Sequence, residues 1–222
     1  MILILKRIYL DISFLFILNL YINHFRIISM LYTEKKAGEF LEKEGFNVKE
    51  RIFVKRKEDL FKLVFPCVMK VSGSTIVHKS RLGGVFIGVK NLEEAKVAYE
   101  KIMKIPGAEE VLVQKMVSGR FFILGIKKTP EFGHVLIFGD GGIDVEEKKD
   151  VSFRVCPIEK LDVLEMIADT KIGSSVTKEE ENFLVENLLK LSKLVKKYPS
   201  ISELDINPII SGEIVDVRIV WD

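Results

Sequence analysis

The run Glu203-Leu204-Asp205-Ile206-Asn207-Pro208, followed by Asp216-Val217-Arg218, constrains the fold more than any other stretch of the chain. Its alternation predicts a strand with Glu203, Asp205 and Asn207 on one face and Leu204 and Ile206 on the other. Three oxygen-bearing side chains in a row are costly unless water or a cation meets them. The next run, Glu213 to Trp221, alternates as well, and Ser211-Gly212 between the two fits a two-residue hairpin turn. That turn pairs position 210 with 213 and sets Asn207 opposite Asp216. Directly opposed residues lie about 5 Å apart at Cβ. An amide oxygen facing a carboxylate, with Asp205 and Glu203 alongside, is a donor set for a hard cation. Magnesium takes one or two protein carboxylates and completes its shell with water and substrate phosphates. Taken alone, the same pattern fits a solvated face on an edge hairpin equally well.

The upstream half supplies groups suited to phosphate. Pro66-Cys67-Val68-Met69-Lys70-Val71 is an apolar strand interrupted by one lysine. A lysine on a buried strand needs an anion. Then come Ser72-Gly73-Ser74, the triplet His78-Lys79-Ser80, and Gly83-Gly84 leading into Val85–Val89. A Gly/Ser-rich connection exposes backbone N–H groups that can cradle phosphate oxygens. The same connection could place His78 at a terminal phosphate. The competing reading is a plain β-hairpin with a lysine whose head reaches solvent and a structural histidine.

The remaining chain alternates helices and strands, which gives an α/β or α+β fold. Thr33 caps a predicted helix from Glu34 to Glu44, stopped by Gly45. Asn91 with Glu94 predicts a helix ending near Pro106-Gly107. Strands are expected at Val111–Val117, Phe121–Ile126 and His134–Phe138. Thr177 with Glu180 opens the longest helix, with Leu184, Leu188, Leu191 and Val195 on one stripe. Its lysines 190, 193, 196 and 197 then form a solvated face. Ile105-Pro106-Gly107-Ala108 breaks the pattern, so a boundary is expected there, giving lobes 30–107 and 108–222. Gly139, Gly141 and Gly142 fit either a tight turn or a phosphate contact. Arg154 interrupts an apolar strand and would pair with Asp150 or Glu146, or grip a phosphate bidentately.

Charged residues make up 30% of the 222 and nearly cancel, leaving +2, which is no footprint for nucleic acid. Cys67 and Cys156 have neither metal spacing nor a disulfide framework, so a reducing, cytoplasmic setting is expected. Residues 1–29 stand apart. Ile8 to Ile22 is largely apolar but broken by Asp11, Ser13 and Asn19. Its uninterrupted stretches are shorter than the roughly 20 residues of a spanning helix. The expectation is an extension contributing little to the core, with the coherent pattern starting at Met30. A weak membrane anchor is the alternative.

These motifs occur together in the order of a known family. Pro66–Lys70, His78–Ser80, Gly83–Val85, Val113-Gln-Lys-Met-Val117, Phe138-Gly-Asp-Gly-Gly142, Lys149–Arg154 and Glu203–Pro208 resemble the ATP-grasp (β) subunit of ADP-forming acyl-CoA synthetases, typified by acetate–CoA ligase (ADP-forming). The resemblance covers about Tyr32 to the end. It implies an ATP-grasp fold of two α+β lobes around ATP or ADP, with Mg2+ as cofactor. It implies a CoA-binding α subunit as partner, and ATP synthesis coupled to acyl-CoA cleavage. Gln114, Lys115 and Met116 would then lie along the adenine. Lys70, Lys79, Gly83, Gly84, Gly141, Gly142 and Arg154 would surround the nucleotide, with Asn207, Asp216, Asp205 and Glu203 at the metal. His78 would carry phosphate to a histidine of the α subunit, Lys70 and Lys79 offsetting charge.

The chain also departs from the family. Phe121 stands where Gly119-Arg120 is usually followed by an acid, and Asp140 and Asp144 make their loop more acidic. The stretch Asp169–Ser175 and the loop before Asp216 are shorter. Two other readings stay open: an ATP-grasp carboxylate ligase using an acyl phosphate, and a non-catalytic nucleotide-binding subunit. Turnover without His78 would mark the first, and absence of phosphotransfer with the partner the second.

Overall fold

The chain interleaves two antiparallel sheets, and each takes a helix layer on one face. The computed structural model describes residues 30–76, 79–142 and 145–222, and only the backbone of Glu146. The expectations for residues 1–29, His78 and Asp144 therefore lie outside the described residues. Strand β1 (Met30–Tyr32) runs through Thr33 into helix α1 (Glu34–Lys43). Gly45, at φ +81°, ends that helix in the left-handed region that favours glycine.

The next segment builds the smaller sheet. Its strands are β2 (Arg51–Val54), β3 (Cys67–Ser72), β4 (Val85–Val89) and, after helix α2 (Leu92–Ile102), β5 (Glu110–Lys115). Their order is β2-β5-β3-β4. Asn91 caps α2 by accepting from the Glu94 N–H (3.0 Å), while Glu94 reaches back to the Lys90 N–H (2.9 Å). Ala95, Ala98 and Ile102 of α2 pack in one core with Met69, Val71, Val111 and Val113.

The larger sheet follows. It contains β6 (Phe121–Thr129), β7 (Gly133–Asp140), β8 (Val151–Val155), β9 (Ile201–Ile210), β10 (Glu213–Ile214) and β11 (Val217–Trp221). A short helix α3 (Val145–Lys148) precedes β8, and α4 (Lys160–Ala168) and α5 (Lys178–Lys197) follow it. The order is β1-β11-β9-β6-β7-β8, with β10 beside β9. Thr177 and Glu180 form the capping box expected for α5. The predicted stripe Leu184, Leu188, Leu191 and Val195 is buried against this sheet. Full burial of such side chains contributes roughly 1.5–3 kcal/mol each. On the outer face Lys193 and Lys196 are exposed, Lys190 caps the Gly45 carbonyl and Lys197 pairs with Glu44, so that face is solvated as expected. Tyr32, Phe40, Tyr198 and Trp221 close the β1 edge, Tyr32 and Trp221 lying 5.5 Å apart between ring centroids.

The boundary expected at Gly107 needs correcting. β5 is an inner strand of the smaller sheet, so the sheets change between Lys115 and Phe121. β1 and α1, from the start of the described chain, belong to the larger one: Met30 pairs with Trp221, and Ala37 and Leu41 join its core. The break at 105–108 is the turn that brings the chain back beside β3. Gly107 adopts φ +85°, and its carbonyl lies where a Cβ on Gly73 would be, 2.1 Å away.

Candidate active site

A cleft of about 490 Å3 lies between the two sheets. Val68, Lys70, Gln114, Lys115 and Met116 line it from the smaller sheet, and Asp205, Asn207 and Asp216 from the larger. Glu34, at the start of α1, and Lys79, in the β3–β4 connection, complete its wall.

The hairpin takes the register expected from its turn. Glu213 pairs with Ile210 and Val217 with Ile206, so Asn207 faces Asp216, its N–H donating to the Asp216 carbonyl (3.2 Å). The Asn207 amide is oriented by Gly142, whose N–H donates to Oδ1 (2.8 Å) and whose carbonyl accepts from Nδ2 (3.2 Å). Gly142 holds φ +102° there. The amide oxygen thus keeps a lone pair for a further partner.

Two lysines and two carboxylates form a buried cluster beside it. Lys79 Nζ donates to both Asp216 oxygens (2.7 and 3.0 Å) and also to Glu34 Oε2. Lys70 Nζ donates to Glu34 Oε1 (3.1 Å) and to the Val215 carbonyl (2.8 Å). Burial alone would draw the Lys79 ammonium down, but the Asp216 and Glu34 carboxylates hold it well above its ordinary value. Burial likewise pushes Asp216 up, and the Lys79 and Lys70 ammoniums outweigh it, leaving Asp216 below the usual carboxylate range. Asp205 differs. Burial pushes it up to about 6, Arg218 opposes, and the Glu203 and Asp216 charges add to the rise.

Glu34 was not among the residues expected here. An acid in the first turn of a helix is ordinary dipole complementarity, and nothing local marks it as the partner of Lys70. The anion demanded by a lysine on a buried strand was the available signal, without an address. Gln114 is held through Nε2, which donates to Val215 O (3.1 Å), while its Oε1 is buried without a hydrogen-bond partner. Met116 and Phe121, 40% and 42% exposed, stand at the mouth with Lys115.

Other expected site residues lie elsewhere. Gly83 and Gly84 do not line the cleft. Their N–H groups close the turn carrying Lys79, donating to Ser80 O (3.0 Å) and Lys79 O (2.9 Å). A Cβ at Gly84 would sit 2.4 Å from Val71 Cγ1, so close approach explains that glycine. Gly141 is a buried turn residue, its N–H donating to Phe121 O (2.8 Å), while Gly142 reaches the cleft. Glu203 is drawn aside into ion pairs with Lys127 (2.8 Å) and Arg218, so of the four expected metal residues only Asp205, Asn207 and Asp216 line the cleft. Arg154 is also corrected. It lies opposite Leu136, which pairs with Ile126 and so with Leu204, on the helix-covered face rather than the face of Asp205. It binds Asp169 (2.8 Å) and Glu165 (3.4 Å) of α4 and its C-cap, not Asp150. Asp150 instead accepts from the Lys171 and Ile172 N–H groups.

The donor set fits magnesium. Among the described residues no three His, Cys, Asp or Glu side chains gather into a metal cage. A magnesium site needs none, since water and phosphate oxygens supply most of its shell. Moreover, the Lys79 ammonium already sits on both Asp216 oxygens, a cation where a cation is expected.

Residues 29–220 match the ATP-grasp domain family. The chain is 38% identical over 209 residues to acetate–CoA ligase [ADP-forming] I subunit beta of Pyrococcus furiosus, covering 84% of this chain and 90% of that one. It is 38% identical over 205 residues to acetate–CoA ligase [ADP-forming] II of Archaeoglobus fulgidus, covering 86% of this chain. Of that longer relative it spans only 30%. A similar solved structure is acetyl-coenzyme A synthetase 1 of Candidatus Korarchaeum cryptofilum, held with coenzyme A and Mg-AMPPCP, its phosphohistidine segment pointing towards the nucleotide-binding site. It shares 28% identity at a TM-score of 0.72, covering 87% of this chain and 93% of that one. The chain belongs to the ATP-grasp family, and within it to the family of ADP-forming acetate–CoA ligases. No helix among the described residues is long and apolar enough to cross a membrane.

Proposed function

We propose that this chain is the nucleotide-handling subunit of an ADP-forming acyl-CoA synthetase, catalysing acyl-CoA + ADP + phosphate ⇌ carboxylate + CoA + ATP with a CoA-binding α subunit. One observation carries the reading. One cleft holds Lys70 and Lys79 beside Asn207 and Asp216, the last two opposed across the hairpin. Asn207 Oδ1, Asp216 and Asp205 would hold Mg2+, which when bound supplies charge neutralisation at phosphate oxygens. Lys70, anchored on Glu34 and Val215 O, presents positive charge to the phosphates. Gln114, Lys115 and Met116 form the wall for the base, and the free Gln114 Oε1 accepts a hydrogen bond from the ligand.

His78 is the proposed phosphoryl carrier, joined in sequence to Lys79. Its imidazole nitrogen attacks the γ-phosphorus, the bond to the ADP oxygen breaks, and the group passes on to the α subunit. The same steps reversed charge ADP. Incubation of the purified complex with γ-labelled ATP and magnesium should leave an acid-labile, base-stable label on this chain. His78→Ala should abolish label and turnover while nucleotide still binds. Normal turnover of His78→Ala would overturn the relay in favour of a direct acyl-phosphate ligase.

A further inference from the structure

The Lys79 ammonium covers the Asp216 carboxylate. It contacts both oxygens of Asp216 at 2.7 and 3.0 Å and shares Glu34 with Lys70. The side chains of Lys70 and Glu34 are 6% and 4% exposed and that of Lys79 14%, while Asp216, 31% exposed, opens onto the cleft. Within the cluster two ammoniums balance two carboxylates. A divalent cation reaching Asp216 would meet an ammonium at contact range, where a low-dielectric cleft screens repulsion poorly. The two lysines are not equally held. Lys70 also donates to the Val215 carbonyl, whereas among the described residues the Lys79 ammonium is held by the Glu34 and Asp216 carboxylates. Lys79 is carried on a turn whose backbone is closed by Gly84 N–H to Lys79 O, so its flexible stem can redirect the charge without moving the chain.

We propose that Lys79 is an internal counter-ion that closes the metal position until nucleotide binds, so that the divalent ion enters only with nucleotide. Nucleotide phosphates offer Lys79 a second set of anions. When it turns to them, Asp216 is released to the metal. The inference rests on the reading of Asn207 and Asp216 as metal residues, and it adds an order of binding which that reading does not require.

Manganese is the probe, with bound and free ion counted by electron paramagnetic resonance on the full chain. The measurements are made without nucleotide and with the β,γ-methylene analogue of ATP. Wild type should hold Mn2+ weakly alone and tightly with the analogue. Lys79→Met should bind Mn2+ alone at least about tenfold more tightly than wild type, since the like charge is gone. The same variant should bind the Mn-analogue complex more weakly than wild type. Lys79→Arg, which keeps the charge, should gain no affinity for the bare ion, and adding Asp216→Asn to Lys79→Met should abolish the gain. Wild type binding bare Mn2+ as tightly as Lys79→Met would overturn the proposal. So would a folded Lys79→Met, judged by circular dichroism, with no gain. If wild type binds no Mn2+ even with the analogue, or Asp216→Asn binds the Mn-analogue complex as wild type does, the metal reading itself fails and takes this inference with it.

Discussion

Asp205→Asn should make the nucleotide-free protein more stable at neutral pH while weakening its hold on magnesium nucleotide. Burial raises the Asp205 carboxyl from its ordinary 3.8 to about 6, with the Glu203 and Asp216 charges adding and Arg218 opposing. No hydrogen bond or ion pair to a described side chain relieves it. A rise from 3.8 to about 6 corresponds to roughly 3 kcal/mol at full burial. The side chain keeps some contact with solvent, which reduces the figure to about 1–2 kcal/mol. The folded pKa lies above the unfolded one, so the native state binds the proton more tightly. The contribution of Asp205 is therefore undiminished below the unfolded value and is lost as pH rises towards 6. Asparagine does not titrate and escapes that loss. Urea unfolding of both proteins, with chelator present, should show a stability advantage for Asp205→Asn that grows between about pH 4.5 and 7 by this amount. An advantage independent of pH, or a variant less stable at pH 7, would refute the electrostatic account.

Asp216→Asn should weaken Mg-nucleotide binding by about 1–3 kcal/mol, read by calorimetry, because a charge-assisted contact is lost; unchanged affinity would return the hairpin to a solvated edge. Arg154→Ala should cost about 1–3 kcal/mol of folding stability, since the buried guanidinium's charge-assisted bond to Asp169 (2.8 Å) is lost. Its ADP affinity should match wild type, and a drop would contradict the placement of Arg154 behind the sheet. Gly141→Ala should destabilise by about 1–3 kcal/mol in thermal unfolding, because the new Cβ would meet the Phe122 carbonyl carbon at 2.6 Å. Wild-type stability would show that the β7 turn yields easily.

Features with a local physical cause were legible in the sequence. A two-residue turn and strict alternation fix which residues oppose each other, so Asn207 against Asp216 could be counted from Ser211-Gly212. Helix caps at Asn91 and Thr177, and the leucine stripe of α5, are likewise local. What escaped depends on which element packs where. Alternation showed that Arg154 breaks an apolar strand, but not that helices cover its face of the sheet. Proximity in sequence suggested that β5 opens the second lobe, yet antiparallel pairing with β2 and β3 returns it to the first. The polar face of β9 was read as one row, but Arg218 and Lys127 divert Glu203 from the cleft. Glu34 meets Lys70 only through the contact of α1 with the opposite sheet, a relation with no trace in either local pattern.

The pairing of Met30 with Trp221 makes the described domain a cassette. Opposed residues on neighbouring strands lie about 5 Å apart, so chain upstream of β1 and chain downstream of β11 depart from one corner of the larger sheet. The aromatic rings around Tyr32 and Trp221 clamp that corner. Such a module can be spliced into a longer polypeptide, appended to either end of another, or circularly permuted with a short bridge, while the strand order of both sheets stays intact. A domain fused at either terminus would start from the same place, which makes separate subunit and fused segment interchangeable arrangements of one architecture.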